Sequence, residues 1–476
     1  MAIFFDSSLP PYHQQNGSFS HGHPSQQTDC IALPIMIGST SISQLLKFAG
    51  GLILVLWSLR YLGVSRQHIH AVTRAFRNQR ELFIKDFLEH EIDGPFDGTA
   101  IQSLCATKRW TPGLLMSCDE AAGGIGEVRN AHLHCIRFAI EAGAALILPH
   151  IISRSEDDIK AVNGRSGVPL DYYFDMDHLH HVLTTYCPQM KVYGSMNDLY
   201  DVPEATDALQ FSISDTTDDL VNGTVMADPH KWHQKFHAFI DERLPVKGRS
   251  TPFRVHLKRT QWTWPTAKDS APVTSVFGRI LRIRLDARRL AGSALFTLGS
   301  RFKANIDPRT QYHPTSFVGI HLRTEENIDD KYPDYPTQAA NYLHYLTESK
   351  SNIAFLATGA TQDNITAFVD RAQDFNITVV TKLDILDDEE QKVLEKLSWD
   401  QRGLVDYEIM LRASQVAGVS ASAFAWDLAL RRSYAFGKGL TGLDLESSER
   451  IAWKDDYTVL YGKHDNAAAF ASTIWP

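Results

Sequence analysis

The stretch FVGIHLR, residues 317–323, decides the fold assignment. Its first four residues form an apolar run that predicts a buried β-strand, and His321 and Arg323 follow at the carboxyl end of this strand. Open α/β sheets bind ligands at the carboxyl ends of their strands. A planar guanidinium at this edge can hold two phosphate oxygens and the charge of a departing diphosphate. The alternative is a surface arginine paired with Glu325 or Glu326.

Three more apolar runs alternate with helical segments after this one and predict a parallel sheet. They lie at residues 353–357, 377–380 and 415–419. The segment SASAF, residues 420–424, then begins a predicted helix. Ser420 and Ser422 are typical N-cap residues there, but hydroxyls and free N–H groups at a helix start can also bind phosphate. Asp406, on the preceding helix, is available to order His321, Arg323 or a ribose hydroxyl.

An earlier β-loop-α-β pattern predicts a second sheet. A strand at 114–118 is followed by a glycine-rich loop, a helix at 128–141 and a strand at 144–148. Backbone N–H groups near Gly124 and Gly126 and the helix dipole can receive an anion or a polar ligand, although such a loop is often only a turn. Arg129 stands where the dinucleotide fingerprint needs its third glycine, so a nicotinamide site is not expected.

Charge and length limit the possible functions. The 476 residues suffice for two α/β domains, and the net charge of -9 argues against a surface devoted to nucleic acid. Residues 245–303 reverse this balance, with 13 Lys or Arg against two Asp. This basic segment predicts either a solvated face or a wall that faces phosphate across an interlobe cleft.

The N-terminal region predicts a membrane attachment. Residues 1–40 are polar and lack an apolar period, which indicates a disordered tail. Residues 41–66 contain the mostly apolar stretch 45–64, which predicts a single-pass anchor, with an interfacial helix as the alternative. The location expected for such a protein is the ER or Golgi, but its orientation stays open. Arginines after the stretch favour a cytosolic chain, whereas the three N-x-[ST] sequons that follow the stretch favour the lumen: Asn222, Asn364 and Asn376.

Two further patterns are less informative. Five cysteines allow one or two disulfides, and their spacing does not reveal the pairing. Asp175, His178 and His181 could suggest a metal-dependent hydrolase or oxidoreductase, but they lack the H-E-x-x-H pattern. Asp175 is a natural N-cap, so no metal site is expected.

Several short elements occur in a familiar order. They are GIGEVR (124–129), LILP (146–149), FDMDHL (174–179), HLR (321–323), DY (406–407) and SAF (422–424). This set, spread over residues 110–440, resembles the GDP-fucose O-fucosyltransferases, including the broad plant group.

The resemblance implies a GT-B fold, in which two Rossmann-like lobes with parallel sheets face a central cleft. It also implies an inverting, metal-independent transfer of fucose from GDP-fucose to an acceptor hydroxyl, with no cofactor. By position, Arg323 would contact the donor diphosphate and assist its departure, and His321 would support donor binding. Ser422 and Phe424 would line the phosphate and nucleotide pocket, and Asp406 would lie near the nucleotide.

Gly124, Gly126, Arg129 and Ser420 complete the set of candidate donor-binding residues. Family members often carry Asn or Gln where Glu127 stands, so this chain departs from the family pattern there. Because the family does not share one base at this loop, Glu127 is the candidate general base, with Glu120 and Asp119 as substitutes. In addition, Ala423 replaces a hydroxyl residue.

The acceptor stays open between a protein, a glycan and a small metabolite. A nucleotide-sugar-binding pseudoenzyme is the alternative function. The expected domains after the anchor are an N-terminal acceptor lobe (85–250), a basic helical connector (251–315) and a C-terminal donor lobe (316–476).

Overall fold

The computed structural model describes residues 66–155, 167–221, 224–243, 252–326, 328, 330–437, 450–463 and 467–476. Residues 1–73 and 74–476 form two separate units, and both lobes lie in the second. The predicted tail and all but the last residue of the predicted anchor lie outside the described residues. Within those described ranges, no helix combines the length and apolarity that crossing a bilayer requires.

The N-terminal half of the described chain alternates strands and helices. Its helices are α1 (Arg66–Glu89), α2 (Thr99–Ala106), α3 (Ile125–Ala142), α4 (Met176–Tyr186), α5 (Ile213–Thr216), α6 (Trp232–Arg243), α7 (Ala271–Phe277) and α8 (Leu285–Arg301). Its strands are β1 (Leu114–Cys118), β2 (Ala121–Ala122), β3 (Ala145–Ile147), β4 (Ile151–Ile152), β5 (Val192–Tyr193), β6 (Ala208–Ser212), β7 (Leu220–Val221), β8 (Val225–Met226) and β9 (Phe253–Lys258).

Five of these strands form a parallel sheet in the order β5-β3-β1-β9-β6. The predicted strand at 114–118 and the helix and strand that follow it are confirmed. Helix α3 ends at Gly143, whose φ of 65° places it in the left-handed region that glycine adopts without a Cβ penalty. This is the predicted β-loop-α-β unit.

The structure corrects the predicted connector at its N-terminal end. Strand β9, at Phe253–Lys258, pairs with β1 on one side and β6 on the other. The segment assigned to a basic connector therefore begins with a central strand of the first sheet. The later part, residues 271–301, is helical as predicted.

The C-terminal half forms the second lobe. Its helices are α9 (Tyr335–Glu348), α10 (Gln362–Gln373), α11 (Lys382–Ile385), α12 (Asp388–Glu395), α13 (Trp399–Leu411), α14 (Ala423–Ala435) and α15 (Ala467–Thr473). Its strands are β10 (Val318–Leu322), β11 (Ile353–Thr358), β12 (Thr378–Val380), β13 (Gln415–Val419), β14 (Ile451–Lys454) and β15 (Thr458–Tyr461).

These six strands form one sheet in the order β12-β11-β10-β13-β15-β14. All neighbours are parallel except β14 and β15. The four strands predicted from apolar runs are all present, and every residue of β10 is buried. Strand β10 continues to Leu322, two residues beyond the predicted end, so His321 lies within the strand and Arg323 directly after it.

Helices join the two lobes over a shared apolar core. Helix α8 packs against α13, and α3 packs against α14. The largest cluster of buried apolar side chains contains residues from both sheets and their covering helices. In the first lobe, disulfides join Cys105 to Cys187 and Cys118 to Cys135, which resolves the pairing that the spacing left open. The ends of the two sheets are therefore held in a fixed relation by packed helices.

Candidate functional site

A cavity of about 730 Å³ lies between the two lobes. From the C-terminal lobe it is lined by residues at the carboxyl ends of β10 and β11 and by the start of α14. From the N-terminal lobe it is lined by the glycine-rich loop before α3 and by Arg154. The cavity thus occupies the edge of a parallel sheet at which α/β proteins bind ligands.

Arg323 forms part of the cavity wall and is also ion-paired. Its Nη1 donates to Glu325 Oε1 at 2.8 Å, and the Arg323 side chain is 13% exposed and that of Glu325 5%. The guanidinium lies 5.2 Å from the centre of the Tyr332 ring. Gln338 fixes the backbone by accepting from Arg323 N at 3.0 Å and donating to Arg323 O at 2.6 Å. Arg323 therefore lines a cavity, as the first prediction requires, and is also paired with Glu325, as the alternative prediction requires.

His321 stacks on Phe424 in the same wall. Their ring centres are 4.4 Å apart with planes 37° from parallel. Complete burial, and next the charge of Arg323, hold the pKa of His321 well below its usual range, so its imidazole is neutral at neutral pH. Its buried Nδ1 meets no hydrogen-bond partner among the described residues. A neutral imidazole with one unsatisfied nitrogen is able to bind a polar ligand group.

Ser422 lies at the start of helix α14. Its hydroxyl oxygen accepts from Ala425 N at 3.3 Å, which is the N-cap contact that its position predicts. Ser422, Ala423 and Phe424 all line the cavity, so the N-terminus of α14 faces it. The positive end of a helix dipole favours an anion at that place.

Asp406 lines the cavity from helix α13, but its partner differs from those expected. Lys382 Nζ donates to Asp406 Oδ2 at 2.5 Å, whereas Asp406 makes no hydrogen bond to His321 or Arg323 within the described ranges. Burial raises the pKa of Asp406 although the Lys382 charge opposes this. Asp406 Oδ1 is buried and has no partner within the part of the chain that the structure describes, so it can accept an N–H or O–H from a ligand.

The glycine-rich loop brings Glu127 to the opposite wall. Glu127 Oε2 accepts from Gly124 N at 2.5 Å, which is one half of a capping box at the start of α3, because a glycine N-cap has no side chain for the other half. Gly123 has a φ of 119°, and a Cβ there would lie 2.8 Å from Glu127 Oε2. The Gly124 N–H, which the sequence predicts as a donor to an anion, therefore already donates to the Glu127 carboxylate.

Two cations of the cavity wall, Arg154 and Lys382, were not singled out by the sequence. Arg154, which follows β4, joins the lobes: it donates from Nε to Asp400 Oδ1 at 3.1 Å, and its guanidinium lies 4.9 Å from the ring centre of Trp399. Lys382 pairs with Asp406 within the C-terminal lobe. Neither has a local sequence pattern, because each gains its place only from residues distant in the chain.

The fold is similar to that of solved fucosyltransferases. POFUT1 in complex with GDP aligns at 14% identity and a TM-score of 0.41, over 70% of this chain and 97% of that one. A POFUT1 complex with GDP-fucose aligns at 13% identity and a TM-score of 0.42, over the same shares. The fucosyltransferase NodZ from Bradyrhizobium aligns at 12% identity and a TM-score of 0.34, over 68% and 93%. No family model and no curated protein matches the sequence. Because the identities are 14% or lower, the function must be inferred from the cavity residues themselves.

The structure contradicts the donor-binding role predicted for Arg129. Its buried guanidinium donates from Nη1 to Asp427 Oδ1 at 2.5 Å and to the Trp475 carbonyl at 2.8 Å. It does not line the cavity, and it joins α3 to α14 instead. Arg129 lies in the second turn of α3, on the helix face that packs against α14, and therefore points into the lobe interface.

Two more predicted donor-binding residues lie outside the cavity lining. Gly126 faces the lobe interface, where a Cβ would lie 2.6 Å from the carbonyl of Ala423. Ser420 is buried below the helix start, and its hydroxyl donates to Lys463 O at 3.3 Å. Gly126 is therefore needed for close packing, and Ser420 holds the chain after β15.

The substitute bases are also outside the cavity. Asp119 pairs with His256 at 2.9 Å and accepts from Arg259 N at 3.1 Å. Glu120 lies 3.6 Å from His150. Of the three carboxylates weighed as a base, only Glu127 reaches the cavity.

The basic segment and the histidine-rich segment both have structural roles. None of the described Lys and Arg residues between 252 and 303 lines the cavity, so the phosphate-facing wall is wrong. Arg282, for example, donates to Asp175 Oδ2 at 2.6 Å. Asp175 also accepts from His178 N at 3.0 Å, which confirms it as the N-cap of α4. In the described ranges, three possible metal ligands meet only at Asp86, Glu89 and His90, away from the cavity.

Proposed function

We propose that this protein is a glycosyltransferase that moves a sugar, fucose from GDP-fucose in the first instance, to an acceptor hydroxyl. The observation that carries the proposal is the joint placement of Arg323 and the N-terminus of α14 at one interlobe cavity. Both are positive groups suited to a diphosphate. The motif resemblance described above supports GDP-fucose as the donor.

The reaction breaks the bond between the sugar C1 and a diphosphate oxygen, and negative charge grows on that oxygen. Arg323 and the N–H groups beside Ser422 would stabilise this charge without a metal. Positive groups that are already in place stabilise a developing charge best because they need no rearrangement during the reaction. Activity that survives a strong chelator would agree with this mechanism, and its loss would contradict it.

The nucleoside would lie farther along the C-terminal lobe. Asp406 Oδ1 and His321 Nδ1 are buried polar atoms without described partners, and both lie on residues that line the cavity. Leaving such atoms unsatisfied costs about 1–3 kcal/mol each, so a ligand that bonds them regains that energy. Base N–H groups or ribose hydroxyls match the Asp406 acceptor.

Glu127 is the candidate general base across the cavity from these groups. It would take the proton of the acceptor hydroxyl as that oxygen bonds to C1 from the face opposite the diphosphate, which inverts the configuration. To do so, its carboxylate must share or leave the Gly124 N–H. Glu127→Gln keeps an oxygen for this cap but removes the base.

Titration calorimetry of the full-length chain with GDP-fucose, GDP-mannose and UDP-sugars tests the donor. We expect tight binding of the GDP-sugars and weak binding of the UDP-sugars. GDP release in the presence of candidate acceptors (proteins, glycans and small metabolites) then tests transfer. Glu127→Gln should keep donor affinity and reduce transfer by about 10²–10⁴-fold. Equal binding of all donors, or undiminished transfer by this variant, would contradict the respective assignment.

A nucleotide-sugar-binding pseudoenzyme is favoured by one observation. Four of the five carboxylates that line the cavity, those of Glu127, Glu325, Asp400 and Asp406, are each already hydrogen-bonded to a backbone N–H or a cation, and the fifth, Glu395, is exposed. A protein that only binds the donor needs no free base. It would bind GDP-fucose in calorimetry but release no GDP with any acceptor tested.

A further inference from the structure

The sequon Asn376-Ile377-Thr378 lies in a tight turn on the surface of the C-terminal lobe. This turn joins helix α10 to strand β12. Asn376 and Thr378 are both exposed, whereas Ile377 between them is buried. Asn376 has a φ of 58°, a left-handed conformation that asparagine tolerates better than most residues. The acceptor amide and the hydroxyl of the sequon therefore both face solvent.

The other two sequons that follow the predicted anchor differ from Asn376. Asn364 lies within helix α10 and is only half exposed. The hydroxyl of its Thr366 accepts from Gln362 Nε2 at 3.4 Å. Asn222 lies outside the described residues. Among the described sequons, Asn376 alone has the surface-turn position in which a bulky glycan is accommodated without repacking.

The disulfides give an independent indication of compartment. Cys105–Cys187 and Cys118–Cys135 are both formed in the first lobe, and all four cysteines are buried. Disulfides persist in the ER lumen and outside the cell but are rare in the cytosol. The lumen is also the compartment in which N-x-[ST] sequons are modified.

The structure also gives another reason for one of the arginines that follow the predicted anchor and that favoured a cytosolic orientation. Arg80 is one of the arginines that favoured a cytosolic chain. Its Nε donates to Ser293 Oγ at 2.8 Å and its Nη1 to Asp387 Oδ2 at 2.8 Å. Arg80 therefore has a role in folding, which accounts for its presence without any role in membrane orientation.

From these observations, we propose that Asn376 is an N-glycosylation site and that both lobes fold on the lumenal side of a membrane. The donor is a polyprenyl-diphosphate oligosaccharide, transferred by the host oligosaccharyltransferase. The Asn376 carboxamide nitrogen bonds to C1 of the first sugar, and the bond from C1 to the diphosphate oxygen breaks. The amide gives up one proton, and the lipid diphosphate leaves. This inference does not depend on the proposed transferase activity.

Expression of the full-length chain in a eukaryotic cell tests the inference. Peptide N-glycosidase should convert the modified Asn376 to Asp, which mass spectrometry of the peptide that contains it detects. The same preparation, digested without reduction, should show both disulfides. An unmodified Asn376 overturns the proposal, whether the disulfides are formed or not, and so does a glycan found only at Asn222 or Asn364.

Three variants provide matched controls. Asn376→Asp removes the acceptor amide but keeps a residue that tolerates the left-handed turn, and Thr378→Val removes the hydroxyl but suits strand β12. Deglycosylation of the unmodified sequence should increase its electrophoretic mobility by one more step than deglycosylation of either variant. Thr378→Ser keeps the sequon and should retain that step. Retention by Asn376→Asp would show that the glycan lies elsewhere and would overturn the assignment.

Discussion

Replacement of Arg323 by alanine tests the proposed donor site most directly. The guanidinium lines the cavity and has five N–H donors, of which one bonds Glu325 at 2.8 Å. A hydrogen bond to a charged group contributes about 1.5–3 kcal/mol. Loss of the contact to the diphosphate should therefore weaken GDP binding by about 10- to 100-fold.

The effect on transfer should be larger than the effect on binding. Charge on the diphosphate oxygen increases in the transition state, and removal of one donor to such a charge costs about 10²–10³-fold in turnover. GDP release from GDP-fucose reports turnover, including slow hydrolysis to water if no acceptor is known. Calorimetry with GDP reports binding. The two assays separate the ground-state contribution from the contribution to the transition state.

Stability must be controlled because Arg323 has a buried partner. Without it, the Glu325 carboxylate, 5% exposed, is left unpaired, at a cost of about 3–5 kcal/mol in unfolding free energy. The double variant Arg323→Ala/Glu325→Gln avoids this cost, and Glu325→Gln alone is its matched control. If the folded double variant binds GDP as tightly as Glu325→Gln does, the assignment of Arg323 to the diphosphate is refuted.

Three further predictions concern the framework around the cavity. Burial lowers the pKa of His134 to about 4, so stability present above about pH 6.5 is lost as the pH falls and the unfolded chain takes up the proton. Urea unfolding should show a loss of about 2 kcal/mol between about pH 7.5 and 5 from this group, and His134→Gln should flatten the dependence. Replacing Cys105 and Cys187, 82 residues apart, by alanine should cost about 4.5 kcal/mol, against about 3 kcal/mol for the disulfide that spans 17 residues. If thermal melts show a larger loss of stability for the 17-residue disulfide than for the 82-residue one, loop entropy is not the origin of the stabilisation. Arg129→Ala should cost about 3–5 kcal/mol yet leave the GDP affinity unchanged, and Arg129→Met with Asp427→Leu should recover most of the loss. Reduced GDP affinity in that repacked pair would return Arg129 to the donor site.

Four of the six strands of the C-terminal lobe, β10 to β13, could be predicted because most of their residues are buried. Such strands have continuous apolar runs, whose edges are visible without knowledge of the fold. Strand β13 has the predicted bounds, 415–419, and β10 exceeds its prediction by only His321 and Leu322. The carboxyl edge of this sheet, and with it the position of the cavity, followed from the same runs.

Strand β9 could not be predicted in this way. Its sequence, FRVHLK, alternates apolar and basic residues, and it lies in a segment rich in Lys and Arg. In the fold, Arg254 donates to the Ala205 and Thr206 carbonyls, and His256 pairs with Asp119. Polar side chains can occupy a central strand when such partners satisfy them, but those partners are distant in sequence.

Arg129 shows the same limit within the candidate site. A glycine-rich turn at the start of a helix predicts an anion site from local geometry alone. The partner of Arg129 is Asp427, 298 residues away, and no local pattern reveals it. Arg154 pairs with Asp400, 246 residues away, and Lys382 with Asp406, 24 residues away. Local sequence therefore predicts the edge of the sheet well and the charge pairing within the cavity poorly.

That pairing has a consequence for the ligand. Three of the five cations that line the cavity, Arg323, Arg154 and Lys382, each bond a carboxylate of its wall, so part of the positive charge there is already neutralised. A bare phosphate would have to compete with these carboxylates and would leave them unpaired, which is costly in a buried site. A nucleotide sugar brings hydroxyl and N–H donors for the carboxylates together with its diphosphate for the cations. We therefore expect the cavity to favour a ligand in which both kinds of group are joined, because such a ligand can replace the pairings that it disrupts.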